Sequence, residues 1–156
     1  MVAKRAGLLH DIKRSEDDHT VKGSREAEKI LKEFEMEERH KRYIAAAIRN
    51  HEAFKEVLPS EDNEAKLVSD SLYDADKFRW GPENFVTTLW LIVESAGTPA
   101  EKLYATFLDK MEGVRRIKET FRTDTGRRYG PEFIDYGIEI GNEIFQERGN
   151  LIRSRG

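Results

Sequence analysis

An all-α fold follows from three features of this 156-residue chain. Apolar residues recur at i, i+3 and i+4 through most of its length. No stretch alternates with the period of two that a half-buried strand requires. The periodic segments follow one another without repeats, low-complexity tracts or a linker, which predicts one helical domain over residues 1–156.

The elements follow in order. Ala3, Gly7 and His10 share one face of an opening helix. Gly23-Ser24 is expected to open the second, whose buried stripe reads Ala27, Ile30, Leu31 and Phe34. The third runs from about Glu38 to His51, with Ile44, Ala47, Ile48 and His51 on one side. A polar loop containing Pro59 separates it from a fourth, about Ala65 to Asp76. Asn84 is read as the cap of a fifth, with Phe85, Leu89 and Ile92 inward. Thr98-Pro99-Ala100-Glu101 is a start signal: a capping Thr, Pro at the first helical position, and Glu three residues after the cap. The helix after it places Leu103, Phe107, Met111 and Val114 together. Residues 121–130 read as a polar loop, and Gly130-Pro131 as the opening of a last helix with Ile134, Ile138 and Phe145 inward.

Composition narrows the function. Charged residues make up 37% and interleave by sign, and the net charge is −3. Nucleic-acid binding needs a clustered basic excess, which is missing. No run of 18 apolar residues occurs, so no membrane span is expected. The absence of cysteine excludes disulfides and thiolate metal sites. With no apolar leader at the start, a soluble cytoplasmic protein is the expectation.

Three helices end their inward faces in residues that ligate metals. His10 and Asp11 close the apolar run Ala6-Gly7-Leu8-Leu9 and set an imidazole beside a carboxylate. His51 continues the face of Ile44 and Ile48. Asp76 continues that of Val68 and Leu72, where a carboxylate is costly unless paired or metal-bound. Taken singly, a His-Asp pair is usually a helix-end hydrogen bond, and a lone inward histidine a satisfied core residue. His19 reads equally as a loop residue among acidic neighbours, and Asp74 as surface or as a support for the site. His40 reads as solvated helix surface, Arg127-Arg128 as a solvated loop, and Trp80 and Trp90 as core aromatics. Three such endings together point to one cleft between helices at the end of a bundle.

In combination the motifs resemble the HD-domain superfamily of metal-dependent phosphohydrolases. Leu8-Leu9-His10-Asp11-Ile12 is similar to its central His-Asp motif, and His19-Thr20-Val21-Lys22-Gly23-Ser24 to the following His-x-x-x-Gly-Ala/Ser element. Ile48-Arg49-Asn50-His51 resembles the histidine that closes the next helix but one. Tyr73-Asp74-Ala75-Asp76-Lys77-Phe78 is similar to the distal Asp-Ala-Asp-Lys/Arg-Leu motif. The likeness runs from about Ala6 to Trp80.

That resemblance implies an HD-like helical bundle with His10, Asp11 and Asp76 holding one divalent metal (Mn, Fe, Co, Ni, Mg or Zn). It implies that His19 and His51 line the same cleft, as ligands to a second metal or as phosphate contacts. Asp11 would orient or deprotonate a metal-activated water, and Lys13 would offset substrate charge. A small phosphorylated substrate, a nucleotide first, is the implied partner. The alternative is a degenerate HD module that binds a nucleotide or protein partner without catalysis; a third reading is a plain helical interaction domain. The family's first metal histidine lies on a helix upstream of the His-Asp pair, and no histidine precedes His10. The expectation is a domain lacking that N-terminal helix, with a genuinely incomplete site as the alternative, weaker metal retention unless His19, His51 or solvent substitutes, and an uncovered face that favours a homo-oligomer.

Overall fold

The computed structural model describes residues 2–97 and 99–153, and these are mostly helical, with no strand among them. No described helix is long and apolar enough to cross a membrane. The chain divides into two compact units: Met1–Asp76 with Phe121–Asp124, and Lys77–Thr120 with Thr125–Gly156.

The first unit is built on four helices: α1 (Val2–Leu9), α2 (His19–Leu31), α3 (Glu38–Arg49) and α4 (Asn63–Lys77). Their apolar stripes meet in a core of Ala6, Ala27, Leu31, Tyr43, Ile44, Ala47, Ile48, Ala65, Val68 and Leu72, with Val2, Ala3, Leu9 and Met36 packed against it. The inner face of α3 carries Tyr43, Ile44, Ala45, Ala47 and Ile48, all buried. Ser24 on α2 donates its hydroxyl to the Ala45 carbonyl of α3 at 2.8 Å. Asp62 caps α4, accepting the Ala65 amide at 2.8 Å. The expected face of α4 holds: Val68 and Leu72 are buried, and the Asp76 side chain is 7% exposed.

Two expectations for α2 are corrected. It opens at His19 rather than at Gly23-Ser24. Asp18 takes a left-handed conformation (φ 54°), tolerated by a short polar side chain. Its carbonyl then accepts the amides of Val21 and Lys22 and starts the helix one turn earlier. Gly23 lies inside α2, where a Cβ would meet Ile48 Cγ2 at 3.5 Å and the His10 carbonyl at 3.6 Å. Phe34 is 57% exposed instead of buried. The helix ends at Leu31, the amides of residues 32–34 bond three residues back, and Phe34 leaves the stripe. Met36 packs against the core beyond that turn.

The second unit contains short turns at Phe78–Trp80 and Lys118–Thr120, a π-helical turn Asn84–Thr88, and helices α5 (Leu89–Ala96), α6 (Ala100–Ile117) and α7 (Asp124–Arg153). Its buried residues include Phe85, Phe107, Met111, Val114, Ile117, Ile134, Ile138 and Phe145. Asn84 does not cap a fifth helix from outside; it is buried within the π turn, and Leu91 of α5 is 59% exposed. The cap expected of Thr98 lies outside the described residues, and Pro99 immediately precedes the first helical residue, Ala100.

The expected loop at 121–130 is also corrected. Helix α7 begins at Asp124 and runs through Gly130 and Pro131. Gly126, Gly130, Ile134, Gly137, Ile138, Gly141 and Phe145 are all buried, forming one continuous stripe. Its first half is glycine, so an apolar pattern cannot reveal it. The close approach is concrete at Gly137, where a Cβ would lie 2.2 Å from the Trp80 carbonyl oxygen.

Candidate metal centre

The site is built where α1, α2, α3 and α4 each begin or end. His10 and Asp11 immediately follow α1, His19 is the first residue of α2, His51 follows α3 by two residues, and Asp76 stands in the last turn of α4. The fold thus brings all five expected side chains into one neighbourhood. His10 Nε2 is 3.5 Å from Asp11 Oδ2 and 3.7 Å from Asp76 Oδ1. His51 Nε2 is 3.6 Å from the other Asp11 oxygen, Oδ1. Asp11, His19 and His51 offer ligand atoms that all lie within 4.8 Å of one another. The His10 and His19 rings each stand edge-on to His51, at centroid distances of 5.2 and 5.4 Å.

Two of the imidazoles are oriented by the backbone. His10 Nδ1 lies 2.7 Å from the Gly7 carbonyl oxygen, and His51 Nδ1 lies 2.6 Å from that of Ile48. A carbonyl only accepts, so Nδ1 carries the proton. In the neutral ring the lone pair is then on Nε2, which faces the carboxylates. The same device occurs at the ends of α1 and α3 because each histidine follows a helical carbonyl by three residues. His19 Nε2 is buried without a hydrogen-bond partner.

Two kinds of contact set the scale for these separations. A nitrogen–oxygen hydrogen bond spans about 2.7–3.2 Å. Two ligands each about 2.0–2.2 Å from one ion stand roughly 3.0–3.5 Å apart, depending on coordination geometry. The histidine–carboxylate distances of 3.5–3.7 Å lie beyond direct hydrogen bonding and next to the ligand–ligand edge. With the buried, unsatisfied His19 nitrogen, the donor set fits a divalent ion. Asp11 directs its two oxygens to different histidines, an arrangement suited to a carboxylate shared between two cations.

Electrostatics agree with close grouping. The His10 pKa is raised above its ordinary value, first by its contact with the Asp76 carboxylate; burial opposes this, and the Gly7 carbonyl and the Asp11 and Asp76 charges reinforce it.

Other expected residues take different places. Lys13 is ion-paired with Glu16 at 3.1 Å, and Lys22 reaches the same carboxylate at 3.2 Å. Asp74 is buried and belongs to the scaffold: it accepts the amides of Arg122 and Thr123, both at 2.8 Å, and the Thr123 hydroxyl at 2.6 Å. His40 is a side-chain neighbour of Glu64 at 3.5 Å. Arg127 and Arg128 are exposed, on α7 rather than in a loop. Trp80 and Trp90 belong to the other unit, and Trp90 donates to the Phe85 carbonyl at 2.8 Å.

Three residues around the site escaped the sequence reading. Asn50 clips the following loop with two 3.0 Å hydrogen bonds to the Leu58 backbone. Arg122 donates to the Asn50 carbonyl at 3.1 Å and lies over the Tyr73 ring at 3.5 Å; desolvation lowers its pKa from the ordinary value. Arg49 contacts the Thr20 hydroxyl at 3.5 Å. Asn50 and Arg49 were visible as neighbours of His51, whereas nothing local linked Arg122 to this site. No protein-family model, curated protein or solved structure matches the chain.

Proposed function

We propose that this chain is a metal-dependent phosphohydrolase of HD-like architecture, acting on a nucleotide or another small phosphoester. The observation that carries the reading is the convergence of His10, Asp11, His19, His51 and Asp76, from four helix ends, with histidine–carboxylate separations of 3.5–3.7 Å. His10, Asp11 and Asp76 form one ligand set. His19 and His51, sharing Asp11, form a second. The donors are nitrogen and oxygen only, which suits Mn, Fe, Co, Ni, Mg or Zn. When bound there, a divalent ion polarises a phosphoryl oxygen and acidifies water for attack on phosphorus.

The chain's own residues supply the rest. The Gly7 and Ile48 carbonyls fix the tautomers of His10 and His51, so their Nε2 atoms are ready to ligate without a prior proton shift. Asp11 is the more exposed of the two carboxylates, with 32% of its side chain accessible against 7% for Asp76. It is therefore the carboxylate placed to orient water or accept its proton, while Asp76 anchors.

The test combines elemental analysis of the purified chain with a phosphoester screen supplemented with each metal in turn. Bound transition metal and metal-dependent release of phosphate support the reading. Metal-induced stabilisation without turnover of any phosphoester would instead assign a non-catalytic binding module. A protein that takes up no metal and hydrolyses nothing would remove both readings.

A further inference from the structure

We propose that Arg49 is the residue that receives the substrate's phosphate beside the His/Asp cluster, a role that rests on the phosphohydrolase reading for its substrate but not for its anion chemistry. Arg49 stands in the last turn of α3, two residues before His51, and is only partly exposed. Its guanidinium donates to the Thr20 hydroxyl at 3.5 Å. Thr20 is buried and follows His19 directly. The guanidinium is therefore tethered to the neighbour of one cluster histidine and carried on the helix that presents another. The His19 and His51 rings are 5.4 Å apart.

The charge arrangement around Arg49 differs from that of the cations near it. Lys13 and Lys22 share Glu16, and Arg14 sits 3.5 Å from Asp11. On the outer surface, Arg39 and Arg42 pair with Glu37 and Glu61 at 2.7 Å. Arg49 forms no ion pair among the described residues. An arginine cannot relieve partial burial by losing its proton. One long bond to a hydroxyl leaves most of its five N–H donors available, in the planar fork that matches two phosphate oxygens. Lys13, the cation expected from sequence to offset substrate charge, is already compensated by Glu16. A phosphoryl group placed against the cluster has in Arg49 a cation held by Thr20 and paired with no acid among the described residues.

The experiment uses the full chain with Mn²⁺ present and inorganic phosphate as the probe, comparing wild type with Arg49→Gln, Arg49→Lys and Thr20→Val by calorimetric titration. Phosphate affinity should fall about tenfold or more in Arg49→Gln, as expected for losing a charge-assisted pair. Metal stoichiometry should not change. Arg49→Lys should recover part of the affinity, because charge is restored without the fork. Thr20→Val should bind phosphate within about threefold of wild type, since it removes the tether and not the charge. For any phosphoester the wild type hydrolyses, Arg49→Gln should raise KM by a similar factor. Unchanged phosphate affinity in Arg49→Gln overturns the proposal, as does a loss that Thr20→Val reproduces in full, which would make the pair structural. Failure of wild type to bind phosphate at all also overturns it. If phosphate binds through Arg49 but no phosphoester is cleaved, the anion assignment stands and the hydrolase reading alone fails. Should Arg49→Gln not fold, Arg49→Lys decides: weaker phosphate binding with full metal content supports the role, and wild-type affinity refutes it.

Discussion

Asp74 and Asp76 lie two residues apart on α4, Asp74 bonded to the 121–124 segment and Asp76 facing His10 in the proposed metal site, so exchanging each for its amide or for alanine should produce crossed effects. Asp74 accepts three hydrogen bonds from Arg122 and Thr123 and tethers the 121–124 segment to the first unit. Asp74→Ala leaves three donors without their acceptor. Each buried orphan donor costs about 1–3 kcal/mol. Arg122 and Thr123 are only half-buried, so water recovers part of this, and the low end gives about 3 kcal/mol in total. Against a urea dependence of about 1–3 kcal/mol/M, the midpoint for the first unit should drop by roughly 1–3 M. Asp74→Asn, which keeps one good acceptor, should lose less. The assay is urea unfolding followed by far-ultraviolet circular dichroism, with amide exchange at Arg122 and Thr123 as the local readout. Metal should still stabilise the Asp74 variants, by about 2.7 kcal/mol at a hundredfold excess over Kd. Asp76→Asn should lose that metal-induced increment and keep the Arg122 and Thr123 amides protected. The reasoning is refuted if Asp74→Ala leaves those amides protected, or if Asp76→Asn retains the full metal increment.

Three further outcomes rest on contacts elsewhere in the first unit. Asp11→Ala removes the carboxylate that faces both His10 and His51; it should abolish metal retention and metal-dependent hydrolysis, and elemental analysis showing full occupancy would reject the assignment. Gly23→Ala adds a Cβ whose nearest neighbour is 3.5 Å away, so α2 should gain about 0.5–1 kcal/mol of helix propensity; a lower unfolding midpoint would show that the α2–α3 contact is tighter than described. The Tyr43 hydroxyl donates to the Asp62 carboxylate, which holds the phenol pKa up to about 12 and the Asp62 pKa down. Because the phenol's folded value is raised, its contribution to stability is complete below the ordinary tyrosine range and is lost as pH rises through about 12. Because the carboxyl's is lowered, its share is present above the ordinary aspartate range and disappears as pH falls through the folded value. Ultraviolet titration should show Tyr43 ionising after an ordinary tyrosine, and Tyr43→Phe should delete that late component.

The sequence made the first unit legible because its signals were local and redundant. Ile44, Ala47 and Ile48 on α3, and Val68 and Leu72 on α4, announce both a helix and its buried side. His51 and Asp76 are then readable as polar residues on those same faces. The convergence of His10 with Asp76 was inferred from inward faces that end in ligand-type residues and from motif resemblance, and the distance between them required the fold. The failures have separate physical causes. The start of α2 depended on a left-handed Asp18, which competes with the more obvious Gly23-Ser24. The long α7 was hidden because its first buried positions, Gly126 and Gly130, have no side chain to reveal a stripe, while Pro131 reads as a beginning. Asp74 was ambiguous because its partners come from the remote 121–124 segment. Arg49 stood inside a recognised motif and was overlooked because its significance lies in having no acidic partner among the described residues, a property of three dimensions.

The central claim, that three imidazoles and two carboxylates address a common ion-binding site, is tested most directly by nitrogen NMR of the histidine rings during titration with Zn²⁺. The Nε2 resonances of His10, His19 and His51 should shift together and saturate at a fixed stoichiometry, with the Nδ1 protons of His10 and His51 retained. His40, paired with Glu64 on the far end of α3, should not move. Shifts at His40 alone, or none at the three cluster rings, would contradict the account.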